Sequence, residues 1–180
     1  MSRTLMVLSF AAFSVSSSEA QGPVYPPVAR QIAAAESPLP LNLQKGARVL
    51  GYNDQGKLIT LRPGSNDMIC VADDPAGKQF HVACYHKSLE PFMARGRQLH
   101  AMKKSKEAVD STRLRDVRTG RYSMPSRPAA LYQYFAPRDS VDAGTGAVRA
   151  AQYLYVVYTP YATHASTGMS ETPVDGGPWI

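Results

Sequence analysis

The chain has 180 residues, 44% of them hydrophobic and 19% charged, and its formal net charge is +6 at pH 7. This length suits one domain with a buried core, and no run after residue 20 is apolar enough to form a membrane-spanning helix. Two cysteines and four histidines without a metal-ligand spacing argue against a structural metal site.

Residues 1–20 have the pattern of a secretory signal peptide. Arg3 precedes an apolar run over residues 5–15, and the small residues Ser18 and Ala20 occupy the positions that determine cleavage by signal peptidase. We therefore expect cleavage near Ala20 and an exported protein, in the periplasm or outside the cell. A buried amino-terminal helix or a membrane anchor is the alternative, although the run is short for a bilayer.

Residues 21–45 form a Pro/Ala-rich arm, in which residues 28–36 are compatible with a short helix. Two alternating segments follow, over residues 47–52 and 57–62, and the turn between them contains Gly56. This pattern predicts a β-hairpin.

A strand–turn–strand–helix unit over residues 68–97 is the best-specified part of the chain. Each strand carries one cysteine, Cys70 or Cys84, and the turn contains Asp73 and Asp74. In an oxidising compartment two cysteines favour a disulfide over a free thiol or a metal ligand, and the closed loop would have about 15 residues. With the preceding hairpin, the short turns predict a four-stranded antiparallel meander.

Two helices are predicted next. Ser88 has the position of a cap, and the apolar residues after it recur at helical spacing, which predicts a helix that covers the sheet. The second helix is predicted over residues 105–119, with Gly120 after its end.

The net charge lies in one segment. Residues 87–121 contain ten cations and four carboxylates, which accounts for the whole excess. This basic block is a candidate surface for an anionic envelope component, a glycan or an acidic protein; the alternative is a solvated face that keeps the protein soluble. The candidate ligand-binding cations are Arg95, Arg97, Lys103, Lys104, Arg113, Arg115 and Arg118.

Residues 130–136 and 152–158 are the clearest strands of the second half. If they pair, one face is largely aliphatic and the other presents four tyrosines. These are candidate ligand-binding residues, because phenol rings stack on sugars, bases and other rings; the alternative is that they pair across strands and stabilise the sheet. The four are Tyr132, Tyr134, Tyr153 and Tyr155.

Together these elements predict an α+β fold, with a mostly antiparallel sheet of about six strands, one or two helices packed on one face, and one disulfide. The expected organisation is a signal peptide over residues 1–20, the arm over residues 21–45, one globular domain over residues 46–160 and an irregular tail over residues 161–180. Because Trp179 and Ile180 end the tail abruptly, we expect the natural chain to continue.

No motif assigns a reaction. The sequence has no HExxH motif, no Gly-x-Ser-x-Gly elbow and no Gly-rich phosphate loop after a strand, so neither a metal nor a cofactor is predicted. A hydrolase site near the C-terminal tail, with His164, His86 or His81 as the base, is an alternative, since His164 lies close to Ser166 in a segment without periodicity.

Several short runs carry a resemblance. They are Cys84-Tyr85-His86, residues 89–97 (LEPFMARGR), residues 158–163 (YTPYAT), Ser166-Thr167-Gly168 and Pro178-Trp179. In these runs the chain resembles a group of small exported bacterial proteins of unassigned function. The resemblance covers most of the mature chain and implies a bacterial, envelope-facing origin without a mechanism.

Two functions stay open at this point. The first is a non-catalytic binding module of the bacterial envelope or periplasm, which would hold an acidic or glycan-bearing partner with the basic block and the tyrosines. The second is a small secreted hydrolase. The binding module ranks first because the whole net charge lies in one segment, and neither the ligand nor the oligomeric state is defined.

Overall fold

A computed structural model describes residues 22–142, 145 and 147–175 of the chain. The predicted signal peptide, residues 1–20, lies outside the described residues, as do Pro178, Trp179 and Ile180 of the tail. Within the described ranges, no helix combines the length and the apolar character needed to cross a membrane.

The chain forms one six-stranded sheet with helices packed on it, which confirms the predicted α+β fold. The strands are β1 (Arg48–Tyr52), β2 (Leu58–Arg62), β3 (Met68–Val71), β4 (Gln79–His86), β5 (Ala129–Pro137) and β6 (Gln152–Tyr158). The α-helices are α1 (Val28–Glu36), α2 (Leu41–Gln44), α3 (Glu90–Ala101), α4 (Lys106–Arg118) and α5 (His164–Thr167), and short 3-10 helices span Lys87–Leu89 and Arg138–Ser140.

The strand order is β2-β1-β3-β4-β5-β6, in which β1 and β3 are parallel and the other neighbours antiparallel. The predicted meander is wrong at one junction, because the chain leaves β2 at the sheet edge and crosses the start of β1 before it enters β3. In this crossing the backbone N–H groups of Ser65 and Asn66 donate to the Gly46 carbonyl oxygen at 2.8 and 2.9 Å. Gly64 permits the close approach, since a Cβ there would lie 2.7 Å from the Arg48 backbone nitrogen.

Helices lie on both faces of the sheet rather than on one. On the face that carries Cys70 and Cys84, called here the disulfide face, α1 and α2 pack against the sheet, and Ala35 of α1 is fully buried. On the opposite face, Leu89 and Met93 pack against apolar residues of β1, β3, β4 and β5. The predicted long helix therefore covers the sheet mainly through its first turns, and the rest of α3 packs against α4.

The predicted disulfide is present. Cys70 lies directly opposite Cys84 in the β3–β4 register, and the two fully buried cysteines are bonded to each other. The turn between these strands is held from outside by Arg138, which pairs with the Asp73 carboxylate and donates to the Asp74 carbonyl oxygen at 3.0 Å. The β3–β4 hairpin is thus fixed by a covalent link between its strands and by an ion pair at its turn.

Gln31 joins α1 to the sheet. Its side-chain amide donates to the carbonyl oxygens of Pro26 and Tyr52, both at 2.8 Å, and its Oε1 accepts the Tyr52 backbone N–H at 2.8 Å. Gly51 makes room for this amide, since a Cβ on Gly51 would lie 2.6 Å from the Gln31 Oε1 atom. The buried amide has its donors and acceptor satisfied, so it fixes the position of α1 on the sheet.

We expect Gln31→Ala to lower the free energy of unfolding by about 2 kcal/mol, because it leaves the Tyr52 backbone N–H and carbonyl groups without their side-chain partner in a partly buried position. Urea unfolding measures this loss. Gln44→Ala is the matched control, since the Gln44 amide makes one bond, to the Leu39 carbonyl oxygen at 2.9 Å, and should cost about half as much. Equal losses for the two variants would contradict a special role for Gln31.

Candidate binding cleft

The tyrosines predicted to share one face do share it. Strands β5 and β6 pair in an antiparallel register that places Tyr132 opposite Tyr155 and Tyr134 opposite Tyr153. The first pair meets edge to face with ring centroids 5.6 Å apart, and the second with centroids 4.0 Å apart. All four lie on the disulfide face, on the side of the sheet that α1 leaves partly uncovered.

The two strands give their tyrosines different environments. Tyr132 and Tyr134, on β5, are half-buried against the core, whereas Tyr153 and Tyr155, on the edge strand β6, are 57% and 60% exposed. Burial raises the pKa of Tyr134 above its ordinary value, and the nearby Tyr153 hydroxyl adds to this shift, so Tyr134 is a neutral phenol at physiological pH. The inner pair therefore supports the sheet, and the outer pair is open to a ligand.

A cleft of about 360 Å³ lies between α1, the tyrosines and the segment that precedes β6. Tyr134 and Tyr153 line it together with Phe80, α1 contributes Arg30, and Ser37 follows the end of α1. A smaller cavity of about 100 Å³ shares Arg30 and Phe80 with this cleft and continues towards the β3–β4 turn. We call the larger space, with the residues just named, the tyrosine cleft.

Sequence reasoning missed the wall of this cleft. The sequence predicts an arm over residues 21–45, but α1 within that segment packs on the sheet, and Arg30 lines the same cleft as Tyr134 and Tyr153. A signal was present, because Ile32 and Ala35 stand three positions apart and form an apolar stripe when residues 28–36 are helical. That stripe predicts a helix packed on a core rather than an exposed one.

Part of the basic block is used inside the protein. The Arg95 Nε donates to the Asp116 carboxylate at 2.8 Å, and this pair joins α3 to α4 with both side chains largely shielded from water. Arg97 donates to Glu90 at 2.7 Å and to the Tyr85 hydroxyl at 2.5 Å, and burial raises the pKa of that phenol. These arginines hold α3 in place and leave little of their charge for a partner.

Arg113 also serves the packing of the two helices. Its guanidinium lies 4.1 Å from the centre of the Phe92 ring and donates to the Asp110 carboxylate at 2.9 Å. Such a cation over a ring is favourable, and Phe92 in turn meets the Tyr158 ring of β6 edge to face at 6.0 Å. Arg113 is therefore the third of the seven candidate cations with a structural role.

The remaining four candidate cations are exposed, and the described part of the chain gives them no ion pair. Lys103 and Lys104 precede α4, whereas Arg115 and Arg118 lie in its last turns. Helices α3 and α4 approach the sheet on the face opposite the tyrosines. The structure therefore does not bring the basic block and the tyrosines into one site.

The histidines named as candidate bases lie in separate environments. His86 Nδ1 lies 2.8 Å from the Ser88 Oγ and accepts the Ser88 backbone N–H at 3.3 Å, which caps the 3-10 helix, while its Nε2 is 3.8 Å from the Asp67 carboxylate. On the opposite face, His81 stacks on Phe135 with ring centroids 4.4 Å apart, and the accompanying loss of hydration lowers its pKa.

His164 begins the short helix α5 in the tail, and its Nδ1 lies 2.7 Å from the Met169 carbonyl oxygen. The neighbouring Ser166 forms a reciprocal capping box with Thr163, so its hydroxyl is engaged in the local turn. Across the described residues, no group of three or more His, Cys, Asp or Glu side chains could hold a metal ion. His81, His86 and His164 therefore each make contacts in their own part of the structure.

Comparison with known proteins adds no further assignment. No protein family, curated protein or solved structure matches this chain. The resemblance to small exported bacterial proteins stays a prediction, and the function is argued from the cleft itself.

Proposed function

We propose that the protein is a non-catalytic binding module of the bacterial envelope or periplasm that holds an acidic or glycan-bearing partner in the tyrosine cleft. The observation that carries this proposal is the cleft, which Tyr134 and Tyr153 line on the sheet and Arg30 lines on α1. Its volume of about 360 Å³ is in the range of small-ligand sites.

The lining contains both kinds of side chain that an acidic sugar needs, phenol rings and a cation, beside apolar residues such as Phe80 and Val148. An exposed phenol ring stacks on the C–H face of a sugar ring, and a guanidinium offers parallel N–H donors to a carboxylate or phosphate. Tyr134 is held by its packing and Tyr153 is already exposed, so these rings are in place before a ligand arrives. Such preformed contacts reduce the entropy lost on binding.

The basic block has a secondary part in this proposal. Since Arg95, Arg97 and Arg113 are engaged inside the protein, the exposed cations of α4 act at a distance, by attracting an anionic partner to the surface. Export of the protein is supported by the signal pattern of residues 1–20 and is compatible with the buried disulfide. Amino-terminal sequencing of the exported protein tests the predicted cleavage near Ala20.

Calorimetric titration with oligogalacturonate, an acidic oligosaccharide, tests the proposal, and uncharged chitotetraose is the comparison ligand. We expect oligogalacturonate to bind more tightly and its affinity to fall as salt rises from about 20 to about 150 mM. Tyr153→Ala should weaken binding by about tenfold, because it removes the exposed one of the two tyrosine rings in the cleft. Tyr161→Ala is the aromatic control, since Tyr161 is 71% exposed and does not line the cleft.

A pair of charge variants separates the cleft from the basic block. Arg30→Gln and Arg118→Gln each remove one positive charge, but only the first changes the cleft wall. We expect Arg30→Gln to weaken oligogalacturonate binding by more than tenfold and Arg118→Gln by less than threefold, with the melting temperature of each variant measured alongside. The opposite order would show that α4 binds the anion and would overturn the cleft proposal.

A further inference from the structure

Strand β6 is an edge strand whose outer side has no neighbour among the described strands. It is seven residues long, and five of its side chains are exposed, whereas Val156 and Tyr158 pack partly against the core. On the disulfide face Tyr153, Tyr155 and Val157 are 57%, 60% and 62% exposed, and Leu154 on the opposite face is 45% exposed. A long, apolar edge of this kind is a template for another strand.

Charge distinguishes this edge from the other one. Strand β2, at the far edge, has Lys57 beside its start, and the Arg48 guanidinium of the neighbouring strand donates to Thr60 of β2 at 3.0 Å. Residues 150–163, which include all of β6, contain no Asp, Glu, Lys or Arg. Cations on an edge strand prevent it from pairing with other chains, so the protein protects one edge and leaves the other unprotected.

We propose that β6 pairs antiparallel with β6 of a second copy of this chain, so that the two sheets join into one. The cations in excess lie in residues 87–121, so an acidic partner would be drawn to that block, whereas the uncharged β6 brings no like charges together when it meets its own copy. A two-fold axis makes the contact self-complementary, which is the usual geometry of homodimers. This proposal does not depend on the function of the tyrosine cleft.

The register that pairs all seven residues of β6 with its copy has the two-fold axis at Tyr155, the middle residue of the strand. With the two-fold axis at Tyr155, this residue faces its own copy, Tyr153 faces Val157, and Leu154 faces Val156. Each pair places an apolar side chain next to another on the same face of the joined sheet. The Tyr132–Tyr155 contact of each copy would then continue into a row of four rings. Because a single strand makes a small interface, we expect a dimer that dissociates on dilution.

Cysteine cross-linking tests the pairing and its register in the purified protein. In an antiparallel pair, opposed Cα atoms lie about 4.5 to 5.5 Å apart, within the span of a disulfide, so Tyr155→Cys should give a covalent dimer under air oxidation. Tyr153→Cys is the matched control, since its two copies would lie roughly 13 Å apart. The native disulfide between Cys70 and Cys84 is buried and leaves the new thiol as the reactive one. Cross-linking of Tyr153→Cys but not Tyr155→Cys would overturn the register.

Sedimentation across a concentration series tests the dimer without added thiols. We expect the wild type to shift from monomer to dimer as concentration rises, and Val157→Lys to stay monomeric, because two lysines would face the tyrosines of the partner strand. Ile59→Lys, at a 37% exposed position of β2, should dimerise like the wild type. A wild type that stays monomeric at every concentration would overturn the proposal. This holds even if β6 then pairs with a strand of another protein.

Discussion

Replacement of Asp116 by alanine should be among the most destabilising single changes in this protein, with an expected loss of about 3 to 5 kcal/mol in the free energy of unfolding. The Asp116 side chain is only 6% exposed, and its carboxylate accepts the Arg95 Nε at 2.8 Å in the interface between α3 and α4. The alanine variant would leave the Arg95 guanidinium largely buried without its counter-charge. Urea unfolding, followed by circular dichroism, measures the loss.

Asp110→Ala is the matched control because Asp110 is on the same helix and also pairs with two cations, Lys106 and Arg113. Its own side chain is 45% exposed, whereas that of Arg113 is 18% exposed and keeps the Phe92 ring as a partner, so the expected cost is about 1 to 2 kcal/mol, below that of Asp116→Ala. The double variant Arg95→Met with Asp116→Leu should recover most of the stability, since both buried charges are removed together. If Asp116→Ala costs no more than Asp110→Ala, the buried pair does not hold the two helices together.

The disulfide and the shared face of the tyrosines could be predicted from the sequence because both follow from the alternation of side chains along a strand. Side chains alternate along a strand, and a short turn sets which residues face each other, so Cys70 falls opposite Cys84 once the β3–β4 hairpin is accepted. The same alternation places Tyr132 and Tyr134 on one face of β5. In both cases a few neighbouring residues contain all the information that the prediction needs.

The parallel pairing of β1 with β3 and the tyrosine cleft depend on contacts between distant segments. The short connection after β2 is compatible both with a hairpin and with a crossing over β1, so its length does not predict where β3 pairs. The close contact between Gly64 and Arg48, which accompanies the crossing, exists only in the folded chain. The cleft wall likewise depends on Gln31 of α1, which bonds to the Tyr52 backbone 21 residues away. Neither contact has a periodic signature in the sequence.

The basic block shows a different limit. A count of charges along the chain locates the excess of cations but does not show which of them meet carboxylates or rings in space. Arg95 and Asp116 are 21 residues apart, and Arg113 lies over Phe92 of a different helix. The composition therefore predicts the excess of positive charge in this segment. Only the structure separates the exposed cations of α4 from those that are engaged between α3 and α4.

Loss of the disulfide between Cys70 and Cys84 should lower the free energy of unfolding by about 3 kcal/mol, because the bond closes a loop of about 15 residues and restricts the unfolded chain. For a domain of this size the melting temperature should fall by roughly 10 °C. Unfolding of the wild type with and without a thiol reductant measures the effect of the bond itself, since the reduced protein keeps both sulfur atoms in the core.

The variant Cys70→Ala with Cys84→Ala separates the covalent link from the packing. Both cysteines are fully buried, so the alanine pair loses the sulfur volume as well as the bond, and it should be less stable than the reduced wild type by about 1 to 2 kcal/mol. A reductant should leave the alanine variant unchanged. Oxidised wild type and alanine variant of equal stability would contradict a stabilising role for the bond. A large difference would mean that the fold reaches its full stability only where disulfides form, which ties the stability of the sheet to the export predicted from residues 1–20.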